Sequence, residues 1–255
     1  MPAKPIFAKD RIILALDFDS LEEAEKYVIM LKDYVGYFKI GLPLFVSCGF
    51  KAVEIVKKHG GKVFFDCKFN DIPNVVAKAS AKLIKNGVDF FDIHSIGGSK
   101  MMSTTVKLCT ETAKKNNLEK PTIIAATLLS SFGQRTLSQE LGVSENLAEY
   151  VEHLTKIAKD SGLDGVLASA SEAVKIRKTF GDDFIIICPA VRPSWSVVND
   201  QIRVVTPTDA INAGVDYMII GRPVTSHDDP VAAVKLITAE IKEAELKKSA
   251  DAQQF

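Results

Sequence analysis

Short apolar runs, rich in β-branched and aromatic residues, recur along the chain between polar or turn-forming residues. They fall at 11–16 (Arg-Ile-Ile-Leu-Ala-Leu), 37–40 (Tyr-Phe-Lys-Ile), 62–66, 89–93, 122–128, 165–168, 184–187 and 217–220. Near-continuous apolar runs of this length suit strands buried on both faces, as in a parallel sheet. The stretches between them carry charge on one face and read as helices. Ser20 stands as N-cap of the first, with Glu23 at the capping-box position. Pro43 starts the second, which runs towards His59 and ends at Gly60-Gly61; Pro73 starts the third, which ends near Asn86-Gly87. Further helices are expected over 99–116, 146–161, 171–179 and 230–247, with a short one at 208–212 stopped by Gly214.

Strands and helices in strict alternation, with no linker-like stretch, predict one α/β domain over residues 1–255: a single (β/α)8 TIM barrel. Its active site is expected at the C-terminal ends of the strands, and residues 1–9 and 248–255 as peripheral tails. The alternative is a doubly wound open sheet. That fold usually carries G-x-G-x-x-G after its first strand, and Leu16-Asp-Phe-Asp-Ser20 has no glycine. No short internal repeat or low-complexity segment is visible.

Composition narrows the partners. Hydrophobic residues make up 47% of 255, enough for a sizeable core, and 32 basic residues balance 32 acidic ones. A zero balance argues against nucleic acid or a charged membrane surface as partner. No apolar run reaches the roughly 18–20 residues of a membrane span, and Met1–Asp10 lacks a secretory apolar stretch, so a cytoplasmic location is expected. Cys48, Cys67, Cys109 and Cys188 are scattered without C-x-x-C or zinc-site spacing, which predicts free thiols and no metal site.

The polar residues that fall at strand ends carry the chemistry. They are Asp17, Lys39, Asp66, Lys68, Asp71, Asp92, His94, Ser130, Ser131 and the pair Gly221-Arg222. In Asp66-Cys-Lys-Phe-Asn-Asp71, residues two apart share a strand face, so Asp66 and Lys68 point inward while Cys67 faces the helices. A lysine between carboxylates is held as ammonium, able to stabilise and then protonate a developing carbanion. A structural ion-pair network is the bland alternative. Gly221-Arg222 after the last strand fits the phosphate site that barrels build there, a surface turn being the alternative. The long segment 189–207, with Arg192, Trp195 and Gln201, reads as a lid or as an unimportant connection. His59, His153 and His227 read as solvated, and His94 as structural or supporting.

Five segments together resemble one family. They are Leu16-Asp17, Phe38-Lys39-Ile-Gly41, Asp66-Cys-Lys68-Phe-Asn-Asp71-Ile-Pro-Asn74, Asn199-Asp-Gln201-Ile-Arg203-Val-Val-Thr-Pro207 and Ile220-Gly221-Arg222-Pro223. In this order they are similar to orotidine 5′-phosphate decarboxylases, and the likeness spans nearly the whole chain. D-x-K-x-x-D alone is less specific, since related sugar-phosphate lyases (keto-gulonate-phosphate decarboxylase, hexulose-phosphate synthase) share it. Those place a glutamate that helps bind magnesium where this chain has Lys39, and a lysine there repels a metal.

The resemblance implies decarboxylation of orotidine 5′-phosphate to uridine 5′-phosphate without a cofactor, the last step of pyrimidine nucleotide synthesis. It implies Lys68 as proton donor to the sixth ring carbon, in an alternating array Lys39–Asp66–Lys68–Asp71. Asp71 and Ile72 would enter the neighbouring site of a homodimer. Asp17 and Lys39 would bind ribose hydroxyls, Ser130 the pyrimidine edge, Arg192 and Gln201 would belong to a closing loop, and Gly221 with Arg222 would hold phosphate. Val75 stands where the family commonly has a ribose-binding threonine, Ser130 replaces a threonine, and Cys188-Pro-Ala190-Val-Arg192 replaces Thr-Pro-Gly-Ile-Arg. Ala190 would restrict the lid's base if that backbone needs a positive φ. A magnesium-dependent lyase and a phosphate-binding barrel without chemistry are the other readings.

Overall fold

Eight parallel strands close into a barrel in which each strand pairs with the next and the eighth with the first. The computed structural model describes residues 4–196 and 205–252. The elements run β1 (Ile12–Ala15), α1 (Leu21–Leu31), β2 (Tyr37–Gly41), α2 (Leu42–Cys48), α3 (Lys51–Lys58), β3 (Val63–Phe69), α4 (Pro73–Lys85), β4 (Phe90–His94), α5 (Gly98–Asn116) and β5 (Thr122–Ala126). They continue as α6 (Leu147–Asp160), β6 (Gly165–Leu167), α7 (Ala170–Phe180), β7 (Ile185–Cys188), α8 (Pro207–Asn212), β8 (Tyr217–Ile220), α9 (Arg222–Thr225) and α10 (Pro230–Ala252).

Alternation along each strand separates two cores. One parity (Leu14, Phe38, Phe65, Phe91, Ile123, Ile186) packs against the helices, and Cys67 joins that layer as its position predicts. The other parity (Ile13, Tyr37, Phe64, Phe90, Ile124, Tyr217) fills the barrel. Tyr37, Phe90 and Tyr217 plug its N-terminal end, ring centroids 4.4–5.6 Å apart. Burial pushes the Tyr37 hydroxyl up to about 12, so this floor is uncharged. Chemistry is left to the other mouth.

Several element boundaries depart from those expected. The helix expected from Pro43 to His59 is broken in two, because Gly49 takes φ +59° and ends α2. The turn lets Phe45 and Phe50 both pack on Phe65, at 4.8 and 6.3 Å. β3 runs on through Lys68 to Phe69, whereas β5 stops at Ala126, short of 128. The last helix continues through much of the segment expected as a tail, where Lys248 Nζ donates to the Ile211 carbonyl at 2.8 Å. At the other end Ala8 is buried and Lys4 pairs with Asp216 at 2.6 Å.

A short repeat also emerges. Gly87-Val-Asp89, Gly162-Leu-Asp164 and Gly214-Val-Asp216 precede β4, β6 and β8, each glycine at φ between +70° and +85°. Each aspartate Oδ2 accepts the N–H of a residue on the preceding strand: Val63 at 2.7 Å, Ile123 at 2.8 Å and Ile186 at 2.9 Å. The aspartate's own N–H returns a bond to the same residue's carbonyl, and a cation (Lys57, Lys120 or Arg177) neutralises it. The repeat is only three residues long and its copies stand 75 and 52 positions apart, which hides it in the sequence.

Candidate active site

The inward parity of β2, β3 and β4 changes from apolar to charged at the C-terminal mouth. Register places Ala15 beside Lys39, Lys39 beside Phe64, and Gly41 beside Asp66. Lys39 therefore starts one layer below the two carboxylates it serves, and its side chain runs up the barrel wall. Its ammonium lies 2.9 Å from Asp17 Oδ1 and 3.3 Å from Asp66 Oδ2, with the side chain only 9% exposed. Gly41 makes room: a Cβ there would stand 2.8 Å from Lys39 Nζ and 3.1 Å from Asp17 Oδ1.

Asp66 carries the array onward. Its Oδ1 accepts from Lys68 Nζ, and Lys68 Nζ in turn lies 3.6 Å from Asp92 Oδ2. Four of these groups thus form a chain Asp17–Lys39–Asp66–Lys68, with Asp92 beneath its last member. Burial pulls Lys39 and Lys68 down, but Asp66 and Asp17 on the first, and Asp92 and Asp66 on the second, outweigh it, so both stay above the usual lysine range. Burial likewise opposes ionisation of Asp66, and Lys39 and Lys68 reverse it. For Asp92 burial and the neighbouring Asp66 act together and raise it well above the carboxylate range. Burial and the Lys68 charge pull His94 down, which leaves it neutral at pH 7.

Asp71 is not part of this ion chain. It is exposed, and its Oδ1 accepts from the Ile72 N–H at 2.6 Å just before α4; Ile72 and Val75 are exposed beside it. Asp92 was legible only as a polar residue at a strand end. Its parity with Asp66 and Lys68 was the available signal, but its approach to Lys68 depends on an irregularity in β3 that no spacing reveals.

A cavity of about 280 Å3 opens over Asp66 and Lys68, bounded by Ala126, Leu128, Ser130, Leu167, Pro189 and Ile219 among others. Ser130, Ser131, Ser169 and Glu172 add polar groups to otherwise apolar walls, a lining that suits a flat ring with polar edges. A second cavity of about 240 Å3 lies at the same end, after β7 and β8, and brings Arg192 and Arg222 together with Trp195, Ser196 and His227. Gly221 is the N-cap of α9, and its carbonyl accepts from Val224 and Thr225. Trp195 meets His227 edge to face at 5.6 Å. Val191 and Val205 bridge at the base of the long connection, where Arg192 N–H donates to the Val205 carbonyl at 2.8 Å. Ala190 has φ +61°, the left-handed backbone that its substitution for glycine put in question. Gln201 lies outside the described residues.

The family model described as Orotidine 5'-phosphate decarboxylase / HUMPS family matches residues 10–237. The chain belongs to that family. The orotidine 5′-phosphate decarboxylase of Moorella thermoacetica is 44% identical over 235 residues, which cover 92% of this chain and 93% of that one. That of Trichlorobacter lovleyi is 44% identical over 234 residues, covering 92% and 96%. The crystal structure of the Lactobacillus acidophilus orotidine 5′-phosphate decarboxylase superposes with a TM-score of 0.80 at 32% identity, covering 94% of this chain and 99% of that one. The family and the barrel agree with the expectations from sequence. Among the described residues no helix is long and apolar enough to cross a membrane.

Proposed function

We propose that the protein decarboxylates orotidine 5′-phosphate to uridine 5′-phosphate and carbon dioxide without a cofactor, with Lys68 as proton donor. The observation that carries this reading is the ion chain itself: the Lys68 ammonium is held by Asp66 on the floor of an apolar-walled cavity. In the reaction the bond from the sixth ring carbon to the carboxylate breaks, its electron pair stays on that carbon, and carbon dioxide leaves. A proton passes from Lys68 Nζ to the carbon, leaving an amine that solvent reprotonates. The developing anion has no resonance home on the ring, so a fixed ammonium is the main source of stabilisation.

The remaining roles follow the cavities. Ser130 faces the pyrimidine edge from the rim, Asp17 and Lys39 take ribose hydroxyls, and Arg192 with Arg222 and the Gly221 backbone takes phosphate. Phosphate binding far from the broken bond supplies energy for organising the site. Asp71 and Ile72 enter the site of a second copy. Leu42, Val46, Ile72, Val75 and Ile96, all exposed, lie just beyond the C-terminal ends of the adjacent strands β2, β3 and β4, which supports a homodimer at that rim. Lys39 weighs against a magnesium-dependent lyase, because its ammonium fills the space between Asp17 and Asp66.

Loss of orotidine 5′-phosphate absorbance with purified protein in chelator tests the whole reading. Turnover is expected to survive the chelator, and Lys68→Ala to abolish it with the fold intact by circular dichroism. A Lys68→Ala rate within tenfold of the parent refutes the role of Lys68, and loss of parental activity in chelator returns the metal-dependent reading.

A further inference from the structure

Lys68 stands in an unusual piece of backbone. Pairing between β3 and β4 runs Phe65 to Phe91 and then Phe69 to Ile93, so four steps on one strand match two on the other. Within this bulge Lys68 takes φ +45°, the left-handed region that side-chain-bearing residues adopt only at a cost in strain. Its N–H leaves the ladder and donates to Asp92 Oδ1 at 2.8 Å. Asp92 thus holds the one conformation that aims Lys68 at the cavity.

The second oxygen of Asp92 is as informative. The Asp92 side chain is fully buried, and its Oδ2 has no conventional hydrogen-bond donor, standing 3.6 Å from Lys68 Nζ. Asp66 and Asp92 close on the same ammonium, the first by a hydrogen bond from Lys68 Nζ and the second at 3.6 Å, and a proton on one of the two buried carboxylates relieves their mutual repulsion. Asp66 already faces two ammonium groups, so Asp92 is the member that carries it. The other ionisable groups around Asp92 are Lys39 on β2, Asp66, Cys67 and Lys68 on β3, and His94 on its own strand, while β5 presents Ile124 opposite. Cys67 is pushed up to about 12 by burial and His94 is neutral, so neither competes for that proton at pH 7.

We propose that Asp92 is a positioning residue in the form of a neutral acid: Oδ1 fixes the strained Lys68 backbone, and Oδ2 donates a hydrogen bond to the Asp66 carboxylate. Resting on the decarboxylase reading, it explains how two acids and one lysine share a dry site without an excess negative charge that would repel a substrate carboxylate.

The test compares Asp92→Asn with Asp92→Leu. Asparagine keeps a carbonyl acceptor for Lys68 N–H and an N–H donor for Asp66, and leucine keeps only the volume. For Asp92→Leu, kcat is expected to fall about 100-fold with KM within threefold, as for a displaced catalytic group. Asp92→Asn is expected to restore kcat to within about fivefold of the parent. A leucine variant within threefold of the parent, or an asparagine variant as slow as leucine, overturns the proposal.

A second arm needs no turnover. An acid raised in the folded state is neutral there but ionised in the unfolded chain above its ordinary value near 3.8, so it loses stability as pH rises through that window. Asparagine titrates in neither state. The Tm of Asp92→Asn minus that of the parent is therefore expected to grow by several degrees from pH 4 to pH 8, and a pH-independent difference overturns the neutral acid. If the parent itself fails to turn over orotidine 5′-phosphate, the proposed function falls, and this arm alone decides the state of Asp92.

Discussion

Gly41 is small because the Lys39 ammonium passes over it. Its backbone is extended, φ −94° and ψ −177°, so alanine is tolerated by the main chain, and the cost of a methyl group falls on the Lys39 tip 2.8 Å away. Gly41→Ala is expected to leave stability within about 1 kcal/mol of the parent. It is expected to lower kcat/KM by roughly 10–100-fold through displacement of Lys39 from Asp17 and Asp66, read by steady-state kinetics beside urea denaturation. Ala190 presents the opposite case, a methyl group on left-handed backbone at φ +61°. Relief of strain exceeds the added freedom of the unfolded chain, so Ala190→Gly is expected to stabilise by about 0.5–1 kcal/mol in denaturant titration. Of these residues, Asp66 and Lys68 were legible from their spacing, since a period of two puts them on one strand face, and Lys39 from its place near the end of the second strand. Asp92 was legible only as a polar residue at a strand end, because its contact with Lys68 is made by a bulge and not by either strand's own pattern.

At the level of elements, the Gly-(Val/Leu)-Asp device ties each even-numbered strand from β4 onward to the strand before it. Its aspartates differ in exposure: 30% for the Asp89 side chain, 18% for Asp164 and 7% for Asp216. Removing each leaves a strand N–H without its partner, at about 1–3 kcal/mol. The cost of alanine at these positions, measured by urea unfolding, is expected to rise from Asp89 to Asp164 to Asp216, in the order in which water is excluded. Asp216 also leaves Arg177 and Lys4 without their carboxylate, which reinforces its place at the end. Strand and helix identity could be read from apolar runs and caps: Ser20 accepts from the Glu23 N–H and Asn146 from that of Glu149. The break at Gly49 could not, because glycine inside a helical pattern is tolerated as often as it terminates.

Over the whole molecule, the chain itself supplies Lys39, Asp66, Lys68 and both arginines, while Asp71 stands exposed on the rim. If Asp71 completes a neighbour's site, mixing an Asp71→Ala variant with a Lys68→Ala variant is expected to restore about one quarter of parental activity through hybrid dimers, each with one intact site in two, by random pairing. No recovery, with subunit exchange demonstrated by mass spectrometry, refutes the shared site.

The sequence by itself determined the barrel, the mouth where chemistry sits and the inward face of the ion chain, because periodicity, capping and strand parity are local properties. Only the tertiary structure decided that Lys39 reaches up a layer across Gly41, that a bulge delivers Lys68 to Asp92, and that Arg192 and Arg222 meet in one cavity. Those depend on register between strands and on connections after β7 and β8, and closure of the sheet fixes both through contacts between residues far apart in the chain.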